Sequence, residues 1–177
     1  MSHIDKEKRI DIDKSVERIK LDTGLSYPEN SLSDIAKALG VEVLETELPP
    51  YEGKKVKGVI TWLEKEEGGE VSYSAKIILD SSQSDTTKSF TLAHELGHYV
   101  LHKNSNSFRI DLQDYSKEGD PENQETEANY FAGSLLMPKD KLLLLVLKEG
   151  KSQKEIAGLF GVSVPAVESR LKWLLTV

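Results

Sequence analysis

The feature that most limits what this chain can become is a short run, HELGH, at residues 94–98. It sits inside an apolar helical frame made by Phe90, Leu92, Ala93, Leu96, Val100 and Leu101. Side chains four apart on a helix lie one above the other on one face, so His94 and His98 can aim their imidazoles at a single point. Two neutral imidazole nitrogens at ~2.0–2.1 Å are what zinc accepts. Glu95 projects beside that point rather than onto it, the place of a general base acting on water that the metal makes acidic. Two histidines flanking a glutamate can equally be an ordinary solvated helix face. The surroundings weigh toward a metal: the motif lies mid-helix, follows the most apolar strand segment, KIILD, and contains Gly97, which lets another backbone come close.

A catalytic zinc ion usually takes three protein ligands, so a third must come from elsewhere. The chain has no cysteine, and only His3 and His102 remain as further histidines. His102 stands two turns beyond His94, about 12 Å along the helix axis, and reads as a helix-end residue. The longer HExxHxxGxxH pattern fails because Asn104 occupies the place of its last histidine. The third ligand is therefore a carboxylate. The helix expected over 122–137 offers Glu122, Glu125 and Glu127, with Ala128, Phe131, Ala132, Leu135 and Leu136 as its apolar face. Glu125 lies about 60° from the centre of that face and Glu127 about 100°. The rim position favours Glu125, with Glu127 the alternative and otherwise solvated. Asn129, one turn after Glu125, is placed to hydrogen-bond a metal ligand, and Glu122 suits the helix's first turn.

Around this pair of helices the pattern is α+β: a small, mostly antiparallel sheet packed by helices. Residues 1–30 read as an N-terminal helical arm with Val16 and Ile19 on its apolar side. Ser31 caps a short helix that Gly40 ends, a strand follows over 41–48, and 56–80 reads as a hairpin turning at Gly68-Gly69. One edge of that hairpin is expected to stay free, where a substrate peptide can add as a further strand. The polar stretch 103–121 is either a lid or a surface loop; Arg109 and Tyr115 within it are oxyanion candidates, neither assigned. Residues 31–138 form the core unit, and 139–177 a helical tail of three segments.

The net charge of −7 argues against a broad nucleic-acid-binding face. No apolar run approaches a membrane span, and no apolar stretch follows the N-terminal basic residues, so the expected location is cytoplasmic. The tail is the basic part, with seven Lys and Arg against four Asp and Glu from Pro138 onward. Its run SQKEIAGLFGVSVPAVESRLKWL has the look of a helix-turn-helix, with Arg170 and Lys172 able to reach phosphates. Yet residues 163–166, where base contacts are normally made, hold no Arg, Lys, Asn or Gln. A helical cap on the core is the preferred reading over DNA binding; docking of a substrate protein is a third use.

The runs FTLAHELGHYVLH (90–102) and ETEANYFAGSLLMP (125–138) together resemble the ImmA/IrrE-type metallopeptidases. The resemblance covers about residues 31–138 and is weaker in the N-terminal arm. It implies a zincin-like core with His94, His98 and Glu125 as zinc ligands and Glu95 as base. It also implies a protein substrate, a helix-turn-helix repressor encoded nearby that is cut to relieve repression. The competing expectation is a non-catalytic, zinc-containing regulator or toxin–antitoxin component that binds DNA or a protein partner.

Overall fold

The computed structural model describes residues 4–67, 70–102, 109–110 and 121–175. The first helix, α1 (Lys6–Thr23), is started by Asp5, whose carboxylate accepts from the backbone N–H of Lys8, and is ended by Gly24 at φ +70°. Its apolar side is buried through Ile12 and Ile19 and packs against a later helix, α4 (Pro121–Leu136). Ser31 caps α2 (Leu32–Ala38) as its hydroxyl accepts from Asp34 N–H, and Gly40 follows in the left-handed region at φ +80°.

Three strands come next: β1 (Val41–Thr46), β2 (Gly58–Glu67) and β3 (Glu70–Asp80). With the two-residue β4 (Arg109–Ile110) they form one sheet in the order β1-β3-β2-β4. The hairpin pairing of β2 with β3 is antiparallel, with Val59 opposite Ile78, and β1 lies parallel to β3 with Val43 opposite Ile77. The sheet is thus mixed, with two of its three pairings antiparallel. The expected free hairpin edge is partly taken: β4 pairs with β2 at Val59 and Ile60. A two-residue strand inside a polar stretch carries no alternation by which the sequence could announce it.

Ala75, Ile77 and Leu79 alternate onto one face of β3 and are buried. Against the sheet lies α3 (Asp85–Leu101), contributing Leu92, Ala93 and Leu96 to the same core. The contact is close: a Cβ on Gly58 would lie 2.5 Å from Thr91 Cγ2, so the first residue of β2 has no room for a side chain. Trp62 stacks on Tyr99 with ring centroids 5.2 Å apart, and Tyr99 Oη donates to the Leu39 carbonyl at 3.0 Å. Strand β2 therefore runs alongside α3, with Tyr99 packing between them.

The C-terminal part comprises α5 (Lys139–Leu143), a π-helical turn over Leu144–Lys148, α6 (Gln153–Phe160) and α7 (Val164–Leu175). A reciprocal cap between Ser152 and Glu155 starts α6, and Gly161 ends it at φ +61°. Ile156, Phe160, Val162 and Val167 are buried in the main core, so α6 and α7 are a cap on it. Arg170 corrects the expectation that it reaches phosphates. Its side chain is only 3% exposed; Nε donates to the Met137 carbonyl, Nη2 lies 3.5 Å from Asp13, and the guanidinium sits 5.1 Å from the Tyr130 ring centroid. A charge at helical spacing reads as solvent-facing until an acid on a distant helix supplies its partner.

The turn from β3 into α3 is built on the buried carboxylate of Asp80. It accepts from Ser82 Oγ at 2.7 Å, Gln83 Nε2 at 3.0 Å, and the N–H groups of Ser82 and Leu48. Hydrogen bonds from Ser82 and then Gln83 hold its pKa far below the usual carboxylate range, against the opposing effect of burial. A depressed folded-state pKa stabilises above the ordinary value of ~3.9, and that contribution is lost as pH falls below it. Asp80→Asn is expected to cost about 1–3 kcal/mol at pH 7. The gap to wild type should narrow as the pH is lowered below about 4. Urea denaturation across a pH series measures both; a gap that stays constant contradicts the assignment.

Candidate metal centre

His94 and His98 occupy successive turns of α3, and both side chains are buried. Their Nε2 atoms lie 3.0 Å apart. From α4, Glu125 brings one carboxylate oxygen to 3.2 Å from His94 Nε2 and the other to 3.1 Å from His98 Nε2. A tetrahedron with ~2.05 Å metal bonds has edges of ~3.3 Å, so the three separations sit near what one small cation requires. Among the described residues this is the group of His, Asp and Glu side chains able to hold a metal ion. Two imidazoles and a carboxylate converging so closely call for a positive charge between them, and the donor set of two nitrogens and one oxygen suits a metal of zinc's type.

The electrostatics follow from the same geometry. Burial works against the charge on Glu125, but hydrogen bonds from His94 and His98 prevail and hold its carboxyl well below the ordinary range. The Glu125 side chain is 46% exposed while the histidines are 7% and 5% exposed, so the cluster is closed on the core side and open toward solvent through Glu125. His94 Nδ1 lies 3.0 Å from Asn129 Oδ1. An amide oxygen only accepts, so this contact puts a hydrogen on Nδ1; with a metal held between the donors, Nε2 would give up the hydrogen it shares with Glu125 and turn its lone pair to the ion. The sequence reading had placed Asn129 for such a contact.

Glu95 is 1% exposed and lies in the helix between the two histidines, flanked by Leu92, Ala93 and Leu96. Carboxylates are rarely buried this deeply, and burial next to a charged cluster is a mark of functional groups. His102 ends α3 and does not join the cluster; its ring centroid is 5.5 Å from that of His98. Glu127 corrects the expectation of a solvated residue. Its side chain is only 14% exposed and lies 3.1 Å from Lys8 Nζ and 3.7 Å from His102 Nε2. That partner comes from α1, and nothing local in the sequence signals it. Tyr115, the Arg109 side chain and, apart from the backbone of β4 and Pro121, the stretch 103–121 read as a lid or a surface loop lie outside the described residues.

The helices meet where Gly97 faces Ala128. A Cβ on Gly97 would lie 3.1 Å from Ala128 Cα and from Phe131 Cδ1, and 3.2 Å from the Ala128 carbonyl oxygen. The absent side chain sets the spacing between the helix that bears the histidines and the one that bears Glu125.

The family model described as IrrE N-terminal-like domain, Peptidase M78, matches residues 36–172. The chain belongs to this family. The match begins in α2 and runs on through α6 into α7. The chain is also similar to metallopeptidase ImmA of Bacillus subtilis (strain 168), 38% identical over 76 residues, which are 41% of this chain and 42% of that relative. Among solved structures, a Mycobacterium tuberculosis transcriptional regulator shares the fold with a TM-score of 0.58 at 16% identity. The similarity covers 91% of this chain and 49% of that one. The chain thus spans less than half the length of each of these two proteins. The resemblance drawn from HELGH and the second motif is upheld, as is the α+β class with its three-residue cluster.

Replacing Gly97 by Ala should force α3 and α4 apart by a few tenths of an ångström and cost about 1–3 kcal/mol. Chemical denaturation of the metal-free protein measures this, and an unchanged midpoint would show that the interface yields without cost.

Proposed function

We propose that this chain is a zinc-dependent endopeptidase of narrow specificity, and that its substrate is a helix-turn-helix repressor met in the cytoplasm. The observation that carries the reading is the three-donor cluster with one side open to solvent and the buried Glu95 set into the same helix. A purely structural zinc site closes its fourth position, whereas a catalytic one keeps it open. Membership of a peptidase family and similarity to a metallopeptidase support the same reaction class. Among the described residues no helix is long and apolar enough to cross a membrane.

In this reading His94, His98 and Glu125 hold the metal, and Asn129 keeps His94 in the tautomer and orientation that the metal needs. Zinc, when bound, lowers the pKa of a water toward neutrality and polarises the peptide carbonyl. Glu95 takes the proton from the attacking water and returns it to the departing amine. The division into an N-terminal arm (1–30), a core (31–138) and a helical tail (139–177) belongs to the same proposal. The tail acts as a cap, because Arg170 is committed inward and its charge is withdrawn from any DNA-facing surface. On the hairpin side of the sheet, a substrate segment can add along the part of β2 that β4 leaves unpaired among the described residues.

Two substitutions separate catalysis from metal binding. Glu95→Gln should retain zinc at wild-type stoichiometry and lower cleavage of the repressor encoded nearby by about 10²–10⁴-fold. Glu125→Ala should lose affinity and activity together. Metal analysis with a cleavage assay on both variants decides: full cleavage by Glu95→Gln removes the mechanism, and undiminished zinc in Glu125→Ala removes the ligand set.

A further inference from the structure

Helix α4 carries two carboxylates that grip α3 from opposite flanks. Measured around α4 from Ala128, the residue that faces Gly97, Glu125 lies about 60° to one side and Glu127 about 100° to the other. Glu125 and its neighbour Asn129 reach His94 and His98 on the first side. On the second side Glu127 reaches His102, the residue that caps the end of α3. The Gly97–Ala128 contact works as a pivot between them. Gly97 offers no side chain there and meets the Ala128 backbone and the edge of the Phe131 ring, so the contact sets the helix spacing while groups on either flank of α4 fix its roll. A small roll would carry Glu125 away from the histidines even with the helix spacing unchanged.

Glu127 is suited to oppose that roll. At 3.7 Å its contact with His102 Nε2 is too long for a hydrogen bond, so by itself it would be a loose restraint. Lys8, at 3.1 Å, supplies the second hold. Lys8 is not free to drift, because α1 is fastened to α4 one turn further on: Asp13 accepts from Tyr130 Oη at 3.0 Å and from Ser134 Oγ at 2.7 Å. Thus α1 is anchored to the far half of α4 and presents Lys8 to its near half, next to the metal-binding end.

We propose that Glu127, held by Lys8 against the His102 end of α3, is a positioning residue for the metal centre, fixing the roll of α4 at which Glu125 meets His94 and His98. The inference rests on the reading of that cluster as a metal site. It assigns the N-terminal helix a part in the centre, although that helix supplies none of its ligands and lies outside the segment 36–172 that matches the family.

The test uses the full chain with zinc and cobalt as probes. Zinc affinity is read by competition with a chromophoric chelator, the visible spectrum of the cobalt form reports ligand geometry, and melting of the metal-free protein reports stability. Glu127→Gln and Lys8→Met should each weaken zinc binding about tenfold and alter the cobalt spectrum. Lys8→Arg should stay within about threefold of wild type, and so should Lys14→Met, which removes an exposed lysine of the same helix. If Glu127→Gln folds poorly, the Lys8→Met and Lys8→Arg pair carries the comparison. Unchanged affinity and spectrum in Glu127→Gln or Lys8→Met overturn the proposal. So does a loss of affinity that only follows a loss of metal-free stability, with the cobalt spectrum unaltered. A wild-type chain that binds neither metal removes the reading of the cluster and this inference with it; a wild type that binds, beside indifferent variants, removes this inference alone.

Discussion

The approach of α3 to α4 at Gly97 and Ala128 is the contact on which the centre depends. One helix supplies the two histidines and the other supplies the carboxylate, and neither can complete the cluster alone. With a side chain at position 97 the spacing would grow, and separations of 3.0–3.2 Å between donors would grow with it. Everything behind the two helices serves to hold this spacing. The sheet presses on α3 through β2 and β3, closely enough that Gly58 has no room for a Cβ beside Thr91. On the other side α4 is backed by α1 and α7. The centre therefore lies at the seam between a sheet-and-helix layer and a helical layer.

That seam also explains the uneven exposure of the cluster. The histidines belong to a helix covered by the sheet and are buried, while Glu125 lies on the first turns of α4 and keeps nearly half its side chain in solvent. Such a cluster shields its two imidazoles from water and leaves a face open to a large molecule.

Much of this was readable from sequence because the informative signals were local. The apolar frame of α3, the four-residue spacing of the histidines, the caps at Ser31 and Gly40, and the rim position of Glu125 all depend on neighbours within a turn or two. Failures came where a partner lay far along the chain. Glu127 and Arg170 are charged residues at helical spacing; the first was read as solvated and the second as able to reach phosphates, and both turn inward. Lys8 lies 119 positions from Glu127, and Asp13 lies 157 from Arg170. The parallel pairing of β1 with β3 is long-range in the same sense, because periodicity marks a strand without naming its neighbour. The tail was readable as helical and as a cap, since its buried positions follow helical spacing, but the inward turn of Arg170 was not.

Helix α1 also bears on the order in which the molecule can assemble. Arg9 Nη1 donates to the Trp173 carbonyl at 2.8 Å across 164 positions, and Asp13 meets Arg170 in the same region. These contacts close a loop that encloses most of the chain, and loop closure of that length must be met before such contacts reward it. The sheet, α3 and their hairpin contacts are local and form early by comparison. Helix α1 is therefore expected to settle after the local elements have formed, once α4 and α7 are in place to receive it. The α4 side of the cluster thus leans on a meeting of two distant parts of the chain, while its α3 side is built from local contacts.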